Sequence, residues 1–305
     1  FERNCPTGEA PSYRSEGRPM NFSFQREAFR NVLRGDRCVH PASVFDPISA
    51  RIAEDLGFEI GMFAGSVASL TILGGPDIIL ITLTEFAEQA YRICRAGRLP
   101  LLVDADHGYG NALNVMRTVE ELESAGVSAL TIEDTALPAQ YGSPKPSLIS
   151  TEEAAAKMRA AVRARQDPGL VIVGRCQAFS ISDTDDAVAR AKVFAQTGVD
   201  AMFFVGVKTR AQLEAVRAVC DLPMILGSAG DEVADPAYLA TQNVRISLQG
   251  HQPFAAAVQA VQTTLKALRD GVPTAQLENV AGKALMDRVT RQSDYTAWGR
   301  EFLGG

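Results

Sequence analysis

Residues 124–135 read SAGVSALTIEDT: a glycine closing a stretch of helical spacing, one apolar residue, then a short apolar run that ends on two carboxylates. Two other stretches repeat the arrangement, DLGFEIGMFAGS at 55–66 and TGVDAMFFVGV at 197–207. Glycine accepts the left-handed backbone that terminates a helix, so each stretch is an αβ connection feeding a strand. Amphipathic segments lie between the strands, such as LTEFAEQAYRICRAG at 83–97 and ALNVMRTVEELESAG at 112–126, with apolar residues recurring at three and four.

Outward from these junctions the same alternation runs along the chain from about residue 38. Eight short apolar runs stand out: Val39 to Phe45, Glu59 to Ala64, Leu99 to Val103, Ala129 to Ile132, Leu170 to Val173, Asp200 to Val205, Pro223 to Leu226 and Val244 to Leu248. Repeated βα units imply a parallel sheet, and eight of each fit a closed (β/α)8 TIM-type barrel. The rival, a doubly wound open sheet, usually carries a Gly-rich phosphate loop after its first strand. Here that strand runs into SVFDPISARIAEDLG at 43–57, which has no GxGxxG. The α/β barrel is therefore the expected fold, as one catalytic domain over residues 21–305 with a helical extension at its C-terminal end. Residues 1–20, polar and rich in Pro, Gly, Ser and Arg, read as a disordered N-terminal tail, with Met20 a candidate natural start.

The bulk numbers agree. A chain of 305 residues with 46% hydrophobic and 22% charged residues can bury a sizeable core. A net charge of -6 with mixed signs offers no basic stripe for nucleic acid. No apolar run reaches the eighteen or so residues that span a bilayer, so no membrane partner is expected and the location expected is cytoplasmic. The five cysteines, Cys5, Cys38, Cys94, Cys176 and Cys220, lack CxxC spacing, which reads as reduced, mostly buried thiols and not as a zinc site.

In such a barrel the chemistry sits at the C-terminal ends of the strands. The polar residues just past the apolar runs are Gly65 and Ser66, Asp104 and Asp106, Glu133 and Asp134, Arg175, and His251. In LLVDADHGYG, at 101–110, Asp104 and Asp106 lie on one side of an extended chain, and Glu133 comes from the neighbouring strand. Three carboxylates at one mouth repel one another unless a cation joins them. Oxygen donors without His or Cys suit a hard ion, Mg²⁺ best and Mn²⁺ as the alternative. Taken singly, Asp106 or Asp134 reads as a turn or N-cap residue, Asp77 as a turn cap or an outer partner of the metal, and His251 as a helix cap. Arg175, after the apolar LVIVG, reads as a substrate ligand, because a guanidinium at a barrel mouth faces acids.

The motifs SVFDPISAR, GSVAS, PDIILITLTEF, DADHGYGN, TIEDT, an Arg after strand 5 and GH after strand 8 resemble the isocitrate lyase and phosphoenolpyruvate mutase superfamily, over residues 24 to 300. EDTALPAQYG, at 133–142, is most similar to its bacterial oxaloacetate decarboxylases. The resemblance implies a C-terminal helix swapped between subunits and a homo-oligomer, a dimer of dimers. It also implies that Asp104 contacts Mg²⁺ directly while Asp77, Asp106 and Glu133 hold its waters. Gly65 and Ser66 would meet the substrate's carboxylate and oxo end, and Arg175 and His251 would complete the pocket, with Arg175, His251 and Ser66 as the catalytic candidates.

Within that superfamily the loop after strand 4 discriminates. The lyases carry a KKCGH motif there whose Cys serves as acid or base, whereas this chain reads PAQYGSPKP and has no thiol. The phosphonate-processing members place an Asn in the loop, and none lies between Thr135 and Pro146. The expected reaction is Mg²⁺-dependent decarboxylation of a small 2-oxo dicarboxylate, oxaloacetate, to pyruvate and CO₂ through an enolpyruvate intermediate. A lyase, hydrolase or phosphonopyruvate-type activity on a related 2-oxo or 2-hydroxy dicarboxylate stays open, as does a metabolite-binding barrel without turnover. Two departures bear on substrate choice: Ala229 stands where the compared decarboxylase has a Tyr, and Cys176 and Gln177 follow Arg175 where Thr and then Asn or Asp are usual.

Overall fold

The computed structural model describes residues 21–139, 141–142 and 145–304; the tail expected at 1–20 lies outside the described residues. Eight strands follow one another in a single parallel sheet: β1 (Ala42–Ser43), β2 (Gly61–Phe63), β3 (Leu101–Asp104), β4 (Ala129–Glu133), β5 (Val171–Cys176), β6 (Ala201–Val205), β7 (Met224–Gly227) and β8 (Val244–Ser247). Each lies at one of the eight runs read from the sequence. Val39 pairs in parallel with Ile246, which joins the last strand to the first and closes the barrel. The junction glycines Gly57, Gly126 and Gly198 all have left-handed φ, at 82°, 92° and 92°. At Gly126 the requirement is also spatial, since a Cβ would come within 2.4 Å of the Phe22 ring.

Alternation along the strands sorts the core into two clusters. Met62, Leu102, Ala129, Val171, Val173, Ala201, Phe203, Ile225 and Ile246 fill the barrel interior. Their neighbours Leu101, Val103, Leu130, Ile132, Ile172, Met202, Phe204 and Leu226 face the surrounding helices. This period of two carries the site, because Asp104, Glu133 and Arg175 continue the inward-facing rows. The register agrees: Asp104 pairs with Thr131, and Glu133 with Arg175.

The N-terminal end of the barrel is closed by the helix Ser23–Arg34, whose Phe29 and Leu33 join the interior cluster. Arg30 ties it down, donating to the carbonyls of Gly169 and Leu170 at 2.9 Å each and to Asp200 at 3.2 Å. Local caps set where the other helices start. The amides of Leu113 and Asn114 donate to Asn111 Oδ1 at 2.9 and 3.3 Å, which begins Ala112–Ser124 directly after the DADHGYG turn. A cap of this kind contributes about 1 kcal/mol. The helix after β8, Gln252–Arg269, differs from the rest: none of its residues is buried, and Val258, Val261, Leu265 and Leu268 form an exposed apolar stripe. Among the described residues no helix is long and apolar enough to cross a membrane.

Candidate active site

A cavity of about 970 Å³ opens at the C-terminal ends of the strands, lined by Ser66, Asp77, Asp104, Asp106, Glu133, Arg175 and His251 among others. These are the site residues expected from the sequence, apart from Gly65, which stands behind Asp106 and does not line the cavity. A Cβ at Gly65 would meet Asp106 Oδ2 at 2.7 Å, so any other residue there would displace that carboxylate from its present position. Asp106 itself sits at φ 48°, a left-handed turn that aspartate tolerates better than most side chains. Ala229 and Gln177, the two departures, also line the cavity.

The electrostatics centre on Arg175. Its guanidinium is ion-paired with Asp104 and lies 3.2 Å from Glu133 Oε2 through Nε, without the alignment of a hydrogen bond. Its carbon centre stands 5.1 Å from the Phe203 ring centroid. Burial lowers the Arg175 pKa, but the attraction of Asp104 and Glu133 outweighs this and raises it, so the charge is permanent. Burial raises Asp104 too; the Arg175 charge, the Thr131 hydroxyl at 2.9 Å and the Asp106 amide at 3.2 Å reverse that and hold it below the usual aspartate value. At Asp106 the pull of Arg175 is outweighed. Burial, then the negative charges of Asp104 and Glu133, push it well up, and burial followed by Asp104 raises Asp77.

Four carboxylates thus share the mouth with one guanidinium, and a divalent cation among them would reverse the repulsion that raises two of them. The oxygen-only donor set fits Mg²⁺. Thr135 Oγ1, on the cavity wall, is buried without a hydrogen-bond partner among the described residues and is a further oxygen that a hydrated ion or its ligand could use. As placed, no three His, Cys, Asp or Glu side chains among the described residues converge closely enough to hold an ion by themselves.

Three placements add to the sequence reading or choose between its alternatives. His251 occupies the N-cap position of Gln252–Arg269 but caps nothing; its Nδ1 instead meets Ser43 Oγ at 2.8 Å. Burial lowers its pKa against the opposing pull of Asp104 and Asp77. Asp134 caps no helix either. It is fully buried, accepts from the Gln177 amide at 2.9 Å and pairs with Arg190 at 3.3 Å. His40, which has no role in the sequence reading, lines the cavity and donates from Nδ1 to the Ser247 carbonyl at 2.8 Å. The reason is local. At the seam the Val39 amide donates to the Arg245 carbonyl and the Ser247 amide to the Val39 carbonyl; the next donor along the first strand would be residue 41, and Pro41 has no N–H. The imidazole supplies the missing rung. A His next to a Pro in a closing strand is the one sequence signal that pointed there.

Fold and mouth together define an α/β barrel with four carboxylates and one arginine at its open end. The family model for phosphoenolpyruvate phosphomutase matches residues 29–269, and the chain belongs to that family. It is 60% identical over 285 residues, 93% of this chain and 99% of the relative, to a Rhodopseudomonas palustris protein called oxaloacetate decarboxylase. It is 58% identical over the same length, with the same coverage, to a Bradyrhizobium protein of that name. Among solved structures it resembles phosphoenolpyruvate phosphomutase from Streptomyces platensis, with a TM-score of 0.81 and 26% identity over 91% of this chain and 99% of that one. A phosphonopyruvate hydrolase complexed with oxalate and Mg²⁺ gives 0.80 and 26% over 92% and 99%.

Proposed function

We propose that this enzyme decarboxylates oxaloacetate to pyruvate and CO₂ with Mg²⁺, or Mn²⁺, as its metal. The observation that carries the reading is the rim after β4: among the described residues of that loop, those facing the cavity are Thr135, Leu137, Ala139 and Pro146, with no thiol and no acid among them. Cleaving a β-oxo acid needs neither. The electron pair of the C3–C4 bond moves into the adjoining carbonyl as CO₂ leaves, and an apolar rim disfavours a charged carboxylate there more than neutral CO₂. The identity to proteins called oxaloacetate decarboxylase supports the same choice.

Asp104 would hold the metal directly, with Asp77, Asp106 and Glu133 holding its waters. When bound, Mg²⁺ supplies Lewis-acid charge to the oxygens at C1 and C2. Arg175 draws in the dianion and balances charge developing on the C2 oxygen. The Ser66 hydroxyl, beside Gly65, hydrogen-bonds the carboxylate end. His251, kept neutral by burial, orients the substrate without adding charge, and the enolate takes its C3 proton from water. The test is pyruvate formation from oxaloacetate with Mg²⁺, corrected for the metal's own background, with phosphonopyruvate as a competing substrate. Turnover of phosphonopyruvate alone would replace this reading.

The exposed stripe on Gln252–Arg269 supports a helix exchanged between subunits and a dimer of dimers. Sedimentation should give four times the mass of the 32.7 kDa chain. A monomer at micromolar concentration would refute this. The cytoplasm is the compartment proposed, since free thiols at Cys94, Cys176 and Cys220 are buried and unpaired.

A further inference from the structure

The buried acid Asp134 does nothing in the chemistry above, yet it is tied to the loops after β4 and β5 that flank Glu133. Its Oδ1 accepts from the Gln177 amide at 2.9 Å and its Oδ2 from Arg190 Nη1 at 3.3 Å. Its own carbonyl accepts from the Ile149 amide at 3.0 Å, at the foot of the loop after β4. Arg190 extends the node. It donates to the Ile149 carbonyl at 3.1 Å and through Nε to both oxygens of Asp186 at 2.9 and 3.0 Å. The end of β4, the foot of its loop, the start of the loop after β5 and the helix Thr184–Phe194 therefore meet at one ion pair. Gln177, with its backbone fixed there, turns its side chain to the site and donates from Nε2 to Glu133 Oε2 at 2.9 Å.

We propose that the Asp134–Arg190 pair is a positioning device that acts through Gln177 to aim the Glu133 carboxylate into the mouth. A buried ion pair contributes little net stability compared with apolar residues of the same volume, so folding alone does not call for it. The geometry calls for a carboxylate. Asp134 must offer acceptors to two donors arriving from different elements, and an amide in its place satisfies only one of them. Partners that orient a metal's outer ligands typically matter about 10- to 100-fold in affinity or activity. This inference rests on the proposed role of Glu133 as a holder of the metal's waters, and not on which substrate is cleaved.

The test is a double-mutant cycle read by calorimetric titration with Mg²⁺ alone. Asp134→Asn and Gln177→Ala should each weaken Mg²⁺ about 10-fold. Because one acts through the other, the double variant should be no weaker than the worse single variant. Losses that multiply to about 100-fold would overturn the proposal, as would Asp134→Asn binding Mg²⁺ like the parent. If Asp134→Asn does not fold, Arg190→Lys takes its place, since it keeps the charge and loses the three-way donation. Pyruvate formation is measured in parallel on the parent: its absence with Mg²⁺ binding intact refutes decarboxylation, while the Mg²⁺ titrations still decide whether Asp134 positions Glu133.

Discussion

Between β4 and β5 five residues pair in register, whereas the seam between the first strand and β8 pairs at the single bridge Val39–Ile246. On the first side Glu133, Arg175, Gln177 and Asp134 are bound to one another through side chains held at fixed depth by the strands. On the other side a histidine replaces a backbone rung that Pro41 cannot supply, and the helix leaving β8 has no fully buried residue, touching the barrel through the half-buried Phe254. The same βα repeat thus produces a densely bonded wall and a thinly bonded seam. Charge needs the wall: carboxylates keep defined positions only where hydrogen bonds and a guanidinium oppose their repulsion.

If turnover belongs to the wall, Asp104→Ala should lower Mg²⁺-dependent pyruvate formation by more than about 100-fold while the circular dichroism spectrum is unchanged. Near-normal activity would move the site elsewhere. The wall should also be the acid-sensitive side. His107, 4% exposed, is pushed from 6.5 down to about 4, by burial first and then by the Lys157 charge. Its folded value lies below its unfolded one, so the unfolded chain takes the proton first; the stability present above pH 6.5 is lost as pH falls towards 4, by about 3 kcal/mol in full. His107→Asn should therefore shrink the difference in urea midpoint between about pH 7 and about pH 4.5. An unchanged difference would mean that the imidazole does not titrate as a buried group.

The seam answers to a smaller probe. His40→Phe leaves the Ser247 carbonyl without its donor and should cost about 1–2 kcal/mol. Adding Pro41→Ala restores an N–H at the right place and should recover part of the loss; a double variant no more stable than His40→Phe would show that the rung is not the cause. The smallest effect concerns Ala229. Ala229→Tyr should narrow the cavity and shift the ratio of kcat/KM for oxaloacetate and 3-methyloxaloacetate by about tenfold, towards the lower end of the about 1–3 kcal/mol by which one methylene discriminates. An unchanged ratio would take position 229 out of contact with the substrate.

The wall was largely legible in the sequence and the seam was not. Glycines before strands and apolar alternation are local signals, and they carry Asp104, Glu133 and Arg175 inward without any knowledge of neighbours. The helix Ser23–Arg34 gave little warning, because it plugs the barrel with Phe29 and Leu33 amid charged residues. Asp134 reads as a turn residue because its partners, Gln177 and Arg190, lie 43 and 56 residues away. His40 meets Ser247 across 207 residues, a contact that exists only once the barrel closes. That Arg175 pairs with Asp104, in addition to facing substrate, likewise depends on strand register and not on local spacing.

Gly65 carries a consequence for how such a site can change over generations. With 2.7 Å between a would-be Cβ and Asp106 Oδ2, positions 65 and 106 cannot drift independently. A heavier residue at 65 requires the Asp106 carboxylate to be displaced or shortened. Ala229 and Gln177, at the open rim, can each be exchanged in one step. Substitutions at the rim therefore alter the cavity one residue at a time, whereas a side chain added at position 65 alters the acidic pole along with itself.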